Sequence, residues 1–206
     1  MYTLSSALTT AATVIQHLAP HCDRIDVAGS VRRQAYEVKD LEIVCQPKKI
    51  FVKNPALLFD EGKWQVSDDF ELALDSISAS VEKGQVSGRY MKIILKNGMP
   101  IDLFMPQPAD YFRQLVIRTG NSDYVHNVIA ASWKMKGWCG TENGLRKISE
   151  CAPKNGTDGK PIWRCTTDHP TLPPVWESEK AFFYWLGLPF TPPECRHINN
   201  YVNYRK

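Results

Sequence analysis

The sequence predicts an α+β fold: a mixed sheet with helices, followed by a small helical and β-hairpin C-terminal lobe. Three observations lead there. Amphipathic helical stretches and short apolar runs of strand length share the first half of the chain. Asn97-Gly98 joins two of those runs, which is the strongest short-range hairpin signal. Beyond Pro106-Gln107-Pro108 the apolar spacing turns helical. A chain of 206 residues suits one compact domain of two lobes or two very small domains, and its 43% hydrophobic and 23% charged residues exclude a disordered tail. No apolar run approaches the roughly 20 residues of a membrane helix, so no membrane partner is expected. The net charge of +3 permits a polyanionic partner without demanding one.

Residues 7–18 carry Leu8, Ala11, Ala12, Val14, Ile15 and Leu18 at helical spacing, and Pro20 stops the pattern. Residues 24–28 alternate as a strand and end at Gly29-Ser30, after which the sequence turns polar and helical. Residues 41–45 form a second strand, closed by Gln46-Pro47. The stretch 53–84 reads as polar loop plus one helix over 69–82, with Phe70, Leu72, Leu74, Ile77 and Val81 on its apolar side. Strands over 90–95 and 100–105 flank Lys96-Asn97-Gly98. A boundary at Pro106 divides a domain of residues 1–106 from a lobe of residues 107–206. Helices are expected over 111–117 and 122–135. Short pieces LRKI and IWRC around Asn155-Gly156-Thr157-Asp158-Gly159 predict a hairpin. A last helix over 178–186 has Ser178 as N-cap and Gly187 just past its end.

The opening MYTLSSALTT has no basic segment, continuous apolar stretch or cleavage site, so a cytoplasmic protein is expected. The cysteines Cys22, Cys45, Cys139, Cys151, Cys165 and Cys195 are widely spaced without a CxxC pair, which predicts reduced thiols.

The chemistry centres on Asp40-Leu41-Glu42. In a strand the two carboxylates share one face, with Cα atoms about 7 Å apart, and their repulsion raises their pKa values unless cations intervene. Alone, the pair also describes an ordinary exposed strand face. Two further features form a constellation with it: Gly29-Ser30 at a strand end, and Asp102 within an otherwise apolar strand. Glycine lets the backbone approach a ligand closely, and Ser30 offers hydroxyl and N–H donors to a phosphate. Three carboxylates on adjacent strands can hold two Mg²⁺ ions, one lowering the pKa of an attacking hydroxyl and one clamping a triphosphate. That is the equipment of phosphoryl transfer.

Gly29-Ser30-Val31-Arg32-Arg33, Asp40-x-Glu42 and the distal Asp102 together resemble the nucleotidyltransferase superfamily of DNA polymerase beta (a polymerase beta-like palm). Thr119-Gly120-Asn121-Ser122-Asp123-Tyr124 is similar to the segment that opens the nucleotide-binding lobe of X-family DNA polymerases. Glu177-Ser178-Glu179, Phe182, Leu186-Gly187-Leu188-Pro189 and Pro193-x-x-Arg196 resemble that family's closing motif. The resemblance is to its short stand-alone phage and bacterial type, which carries D-x-E and a strand like Gly88-Arg89-Tyr90-Met91-Lys92 and lacks the lyase domain.

The resemblance implies that Asp40 and Glu42 bind both metals, Mg²⁺ with Mn²⁺ as substitute, and that Asp102 binds the metal at the primer 3′-hydroxyl and takes its proton. It implies that Gly29, Ser30 and Arg33 hold the β- and γ-phosphates, that Thr119 and Gly120 turn beneath the sugar, and that Tyr124 packs against the deoxyribose. Counting without a gap gives the base-reading position to Val125, and a two-residue insertion gives it to Asn127. Pro100 stands where the polymerase carries an Arg to the primer phosphate, with Arg89 and Lys92 as substitutes on the preceding strand. The implied activity is metal-dependent addition of dNMP from dNTP to a DNA primer 3′-hydroxyl, in gap filling or DNA repair. The resemblance implies DNA and dNTP as partners; the sequence leaves the oligomeric state open, with a monomer expected, and the expected setting is the cytoplasm of a bacterial or phage-infected cell.

The alternatives are a nucleotidyltransferase acting on an RNA, protein or small-molecule acceptor, and a non-catalytic DNA-binding remnant. Cys139, Cys151, Cys165 and His169 have spacings that fit no familiar zinc ribbon or finger. GxSxG and GxxxxGK[ST] are absent from the sequence. Trp133, Trp138, Trp163, Trp176 and Trp185 are placed to pack a lobe core, or to stack nucleobases.

Overall fold

The computed structural model describes residues 1–53, 61–156 and 161–197, in two compact units, Met1–Thr119 and Gly120–Lys206. In the first unit, β1 (Tyr2–Thr3) leads into α1 (Leu4–Leu18), whose N-cap Thr3 accepts a hydrogen bond from the Ser6 N–H. Ala7, Ala11, Val14 and Leu18 form its buried stripe. There follow β2 (Cys22–Val27), the four-residue turn of helix α2 (Gly29–Arg32), β3 (Glu37–Val38), which pairs with β1, and β4 (Leu41–Pro47). Then come β5 (Lys49–Val52), β6 (Lys63–Val66), α3 (Asp68–Ile77), β7 (Ser78–Gly84), β8 (Tyr90–Leu95), β9 (Pro100–Phe104) and α4 (Tyr111–Thr119).

Five of these strands form one mixed sheet in the order β2-β4-β9-β8-β7, in which β4 and β9 run parallel and the other neighbours antiparallel. Alternation divides β4 between two faces. Leu41, Ile43 and Cys45 join Ile93, Ile101 and Leu103 in the core beneath α1 and α3. Val44 faces a second cluster with Ala28, Phe104, Tyr111 and Leu115. The α+β class expected from the sequence is therefore the one observed.

Three local expectations are corrected. The helix expected to run to residue 82 stops at Ile77, and Ser78–Gly84 continues as an edge strand paired to β8. Ser78 turns extended at ψ 141°, and its hydroxyl caps the Leu74 carbonyl at 2.7 Å. The polar loop expected within 53–84 contains the strand β6, which pairs with β5 just ahead of that stretch. The unit boundary falls after Thr119 rather than at Pro106, because α4 is fastened to the first sheet. The Tyr111 hydroxyl donates to Asp26 at 2.6 Å and to the Val44 carbonyl at 3.1 Å, and Leu115 and Val116 are buried.

The second unit opens with a helical run of α5 (Ser122–Tyr124), a π-helical segment (Val125–Ala130) and α6 (Ala131–Met135). A four-stranded sheet follows, built of β10 (Trp138–Thr141), β11 (Gly144–Lys147), β12 (Cys151–Asn155) and β13 (Pro161–Cys165), in the order β11-β10-β13-β12. IWRC pairs with residues 151–155, not with LRKI, which belongs to the β10–β11 ladder. Residues 157–159 of the expected turn lie outside the described residues. Helix α7 (Glu179–Leu186) has Ser178 as N-cap and ends at left-handed Gly187, as expected. Trp176 packs against Phe182 at 4.7 Å and Trp185 at 5.1 Å, and Trp138 meets Trp185 at 5.9 Å, so these indoles build lobe core. Fully buried Arg196 donates to Glu179 at 2.9 Å, so two residues of the closing motif meet. Among the described residues, no helix is long and apolar enough to cross a membrane.

Candidate active site

β4 and β9 set the carboxylates. Their parallel register places Glu42 opposite Asp102, while Asp40 immediately precedes β4, two residues before Glu42. The three lie close enough to act on one another. Burial first, then the neighbouring Asp40, push the Glu42 carboxyl up to about 7, with Asp102 adding to the rise and Arg118 and Arg33 opposing it. Asp40 is raised by burial and by Asp102, against Lys92 and Lys39. The Tyr90 hydroxyl donates to Asp102 Oδ1 at 2.8 Å; burial and this bond raise the phenol to about 12.

The turn between β2 and α2 is built around Glu42. Gly29 has φ +61°, and a Cβ there would overlap the Glu42 carboxylate. The Ala28 N–H donates to the Glu42 carbonyl at 2.8 Å, which fixes the turn against β4. Ser30 follows directly within α2. Arg33 donates to the Thr119 carbonyl at 2.6 Å and Arg32 to the Thr119 hydroxyl at 2.9 Å. Burial lowers the Arg33 pKa, Glu42 counteracts this, and the Arg33 Nε is buried without a hydrogen-bond partner.

The structure thus brings together Asp40, Glu42, Asp102, Gly29, Ser30, Arg33 and Thr119 within the first unit. Thr119 is fully buried as the anchor of two arginines. Gly120 and Tyr124 belong to the second unit, where Tyr124 is buried and its N–H is capped by Asn121. In the π-helical segment Asn127 is exposed and donates to the Asp123 carbonyl, while Val125 is half-buried. Among the described residues, no group of three or more His, Cys, Asp and Glu side chains is arranged to hold a metal ion.

No protein-family model and no curated protein matches the chain. The residues of the site therefore carry the functional argument alone.

One of them escaped the sequence reading, and another was quoted there within a strand motif but given no role. Arg118 sits with its guanidinium 3.9 Å from the Phe104 ring centroid and acts on both Glu42 and Asp102. Tyr90 orients Asp102. Both arrive from other elements, Tyr90 from β8 and Arg118 from α4, so no local spacing ties them to the carboxylates. Lys92, register partner of Asp102, was named for a primer phosphate and here also offsets Asp40. Elsewhere, Cys139 and Cys165 come within hydrogen-bonding contact of Cys151, whose thiol is pushed up to about 12 by burial and by these neighbours.

Proposed function

We propose that the protein is a metal-dependent nucleotidyltransferase of the polymerase type, adding dNMP from dNTP to the 3′-hydroxyl of a DNA primer. The observation that carries this reading is the in-register pair Glu42 and Asp102 on parallel strands, with Asp40 beside it and the Gly29 turn closed against Glu42. Asp40, Glu42 and Asp102 repel one another and are hard oxygen donors of the kind Mg²⁺ takes, although among the described residues they are not drawn together into a metal-holding group. Asp40, Glu42 and Asp102 would hold the ions, and Mg²⁺ bound there supplies acidification of the hydroxyl and neutralisation of triphosphate charge.

The chain's own groups do the rest. Asp102, its carboxylate oriented by Tyr90, accepts the proton of the attacking 3′-hydroxyl. The 3′-oxygen forms a bond to the α-phosphorus as the bond to the bridging oxygen breaks, and pyrophosphate leaves. Arg33 and the backbone of Gly29 and Ser30 receive the negative charge of the β- and γ-phosphates. Arg118 stabilises the same cluster through its charge, so positioning and charge neutralisation supply the rate.

Extension of a labelled primer, with each dNTP in turn on single-stranded, recessed and gapped DNA, tests this. Addition of the complementary nucleotide alone establishes templated synthesis. Addition regardless of template points to a terminal transferase. No addition to any DNA overturns the reading and directs the search to RNA, protein or small-molecule acceptors.

A further inference from the structure

The β5–β6 hairpin forms a two-stranded ladder apart from the five-stranded sheet. Such a ladder needs an anchor. Val66 packs on the core, the Lys48 N–H donates to the His21 carbonyl at 2.9 Å, and the Ser67 N–H donates to that of Lys48. Pairing of Lys49 with Val66 and of Phe51 with Trp64 puts these four side chains on one face. Trp64 is 67% exposed there and lies 5.4 Å from the Phe51 ring, while Lys53 sits 5.8 Å from the centre of that ring.

A cleft of about 660 Å³ separates this face from the far end of β4. Gln46 lines it, is only 8% exposed, and has an Nε2 without a hydrogen-bond partner. Lys48, Lys49 and Arg89 line the same cleft against one carboxylate, Asp23. Gln46 shares a strand face with Glu42, about 13 Å along the strand. None of the three carboxylates of the candidate active site lines the cleft.

We propose that this cleft binds single-stranded nucleic acid, with an unpaired base stacked on Trp64 and its carbonyl hydrogen-bonded by Gln46, and with phosphates against Lys49 and Arg89. The base supplies both things the cleft lacks, a π-face for an exposed indole and an acceptor for a buried amide. The excess of cations matches the phosphate backbone. Sequence readout at this contact is limited: every base presents a π-face, and adenine alone of the four lacks the carbonyl. The site goes beyond the proposed transfer reaction, and binding at it requires no divalent ion.

The test is fluorescence anisotropy of labelled oligo-dT with the full chain in EDTA, comparing the parent with Trp64→Ala, Gln46→Met and Lys49→Glu. Parent binding that weakens about tenfold or more in Trp64→Ala, as loss of one stacked base predicts, supports the site. Lys49→Glu is expected to weaken binding and flatten its salt dependence, a readout that altered packing would not move. Photocrosslinking of a bromodeoxyuridine oligomer should label Trp64 or Phe51. No parent binding, or equal affinity in Trp64→Ala and Lys49→Glu, overturns the proposal. Primer extension by the same preparations separates the two readings. Hairpin-dependent binding without extension removes the polymerase assignment alone, whereas extension with oligo-dT binding indifferent to Trp64 removes this site alone.

Discussion

A methyl group at Gly29 would collide with the Glu42 carboxylate on a backbone that L side chains rarely adopt. Gly29→Ala should therefore lose more than about 1 kcal/mol of stability, read as a lowered urea midpoint together with lost nucleotidyl transfer; a variant as stable and active as the parent would refute the close fit. Asp102 is partly exposed, so Asp102→Ala should abolish turnover while leaving the circular dichroism spectrum intact. Retained turnover in a folded variant would sink its assignment as proton acceptor. Glu42 ionises near 4.5 when unfolded and near 7 when folded. The folded chain thus holds the extra proton between these values, and stability without divalent ions should fall as pH rises through that window and level off above it. Urea midpoints at about pH 5 and about pH 8 check the sign, and Glu42→Gln should flatten the slope. At this scale the sequence showed its carboxylates clearly, because alternation alone puts Asp40 and Glu42 on one face. It concealed Arg118, and it showed Tyr90 without its contact to Asp102, because both reach the site only through tertiary packing.

The Tyr111 phenol hydrogen-bonds helix α4 to the sheet. Tyr111→Phe removes its bonds to Asp26 and to the Val44 carbonyl, and about 2 kcal/mol should go with a charge-assisted bond of this kind, measurable as a drop in Tm. The N-cap of α7 offers a milder comparison, with Ser178→Ala expected to lower stability by about 1 kcal/mol. Elements whose ends carry their own chemistry were legible: α7 between Ser178 and Gly187, and the β8–β9 turn, where left-handed Gly98 closes the loop. Elements defined by a distant partner were not. Ile77 and Val81 suit a helix stripe as well as a strand, and only pairing with β8 decides for β7. The β5–β6 hairpin likewise exists through cross-strand contacts such as Phe51 with Trp64.

Each unit of the molecule has a core of its own. In the second, Arg196→Met would leave Glu179 without its buried guanidinium partner, a loss of about 3 kcal/mol or more. Hydrogen exchange should show the lost protection in the residues after Gly120 and intact protection in β4 and β9; a uniform loss would show that the two units unfold as one. The border of the five-stranded sheet has a different bearing on how copies of the chain meet. Strand β7 runs along that border with its register broken between Ser78 and Ser80 and again between Val81 and Lys83, and with Glu82 and Lys83 turned to water. A straight, apolar border would offer its unpaired amides as a template for fibril growth. Two kinks and a pair of opposite charges spoil the copying pattern, so restoring a regular ladder there should make the protein polymerise on itself.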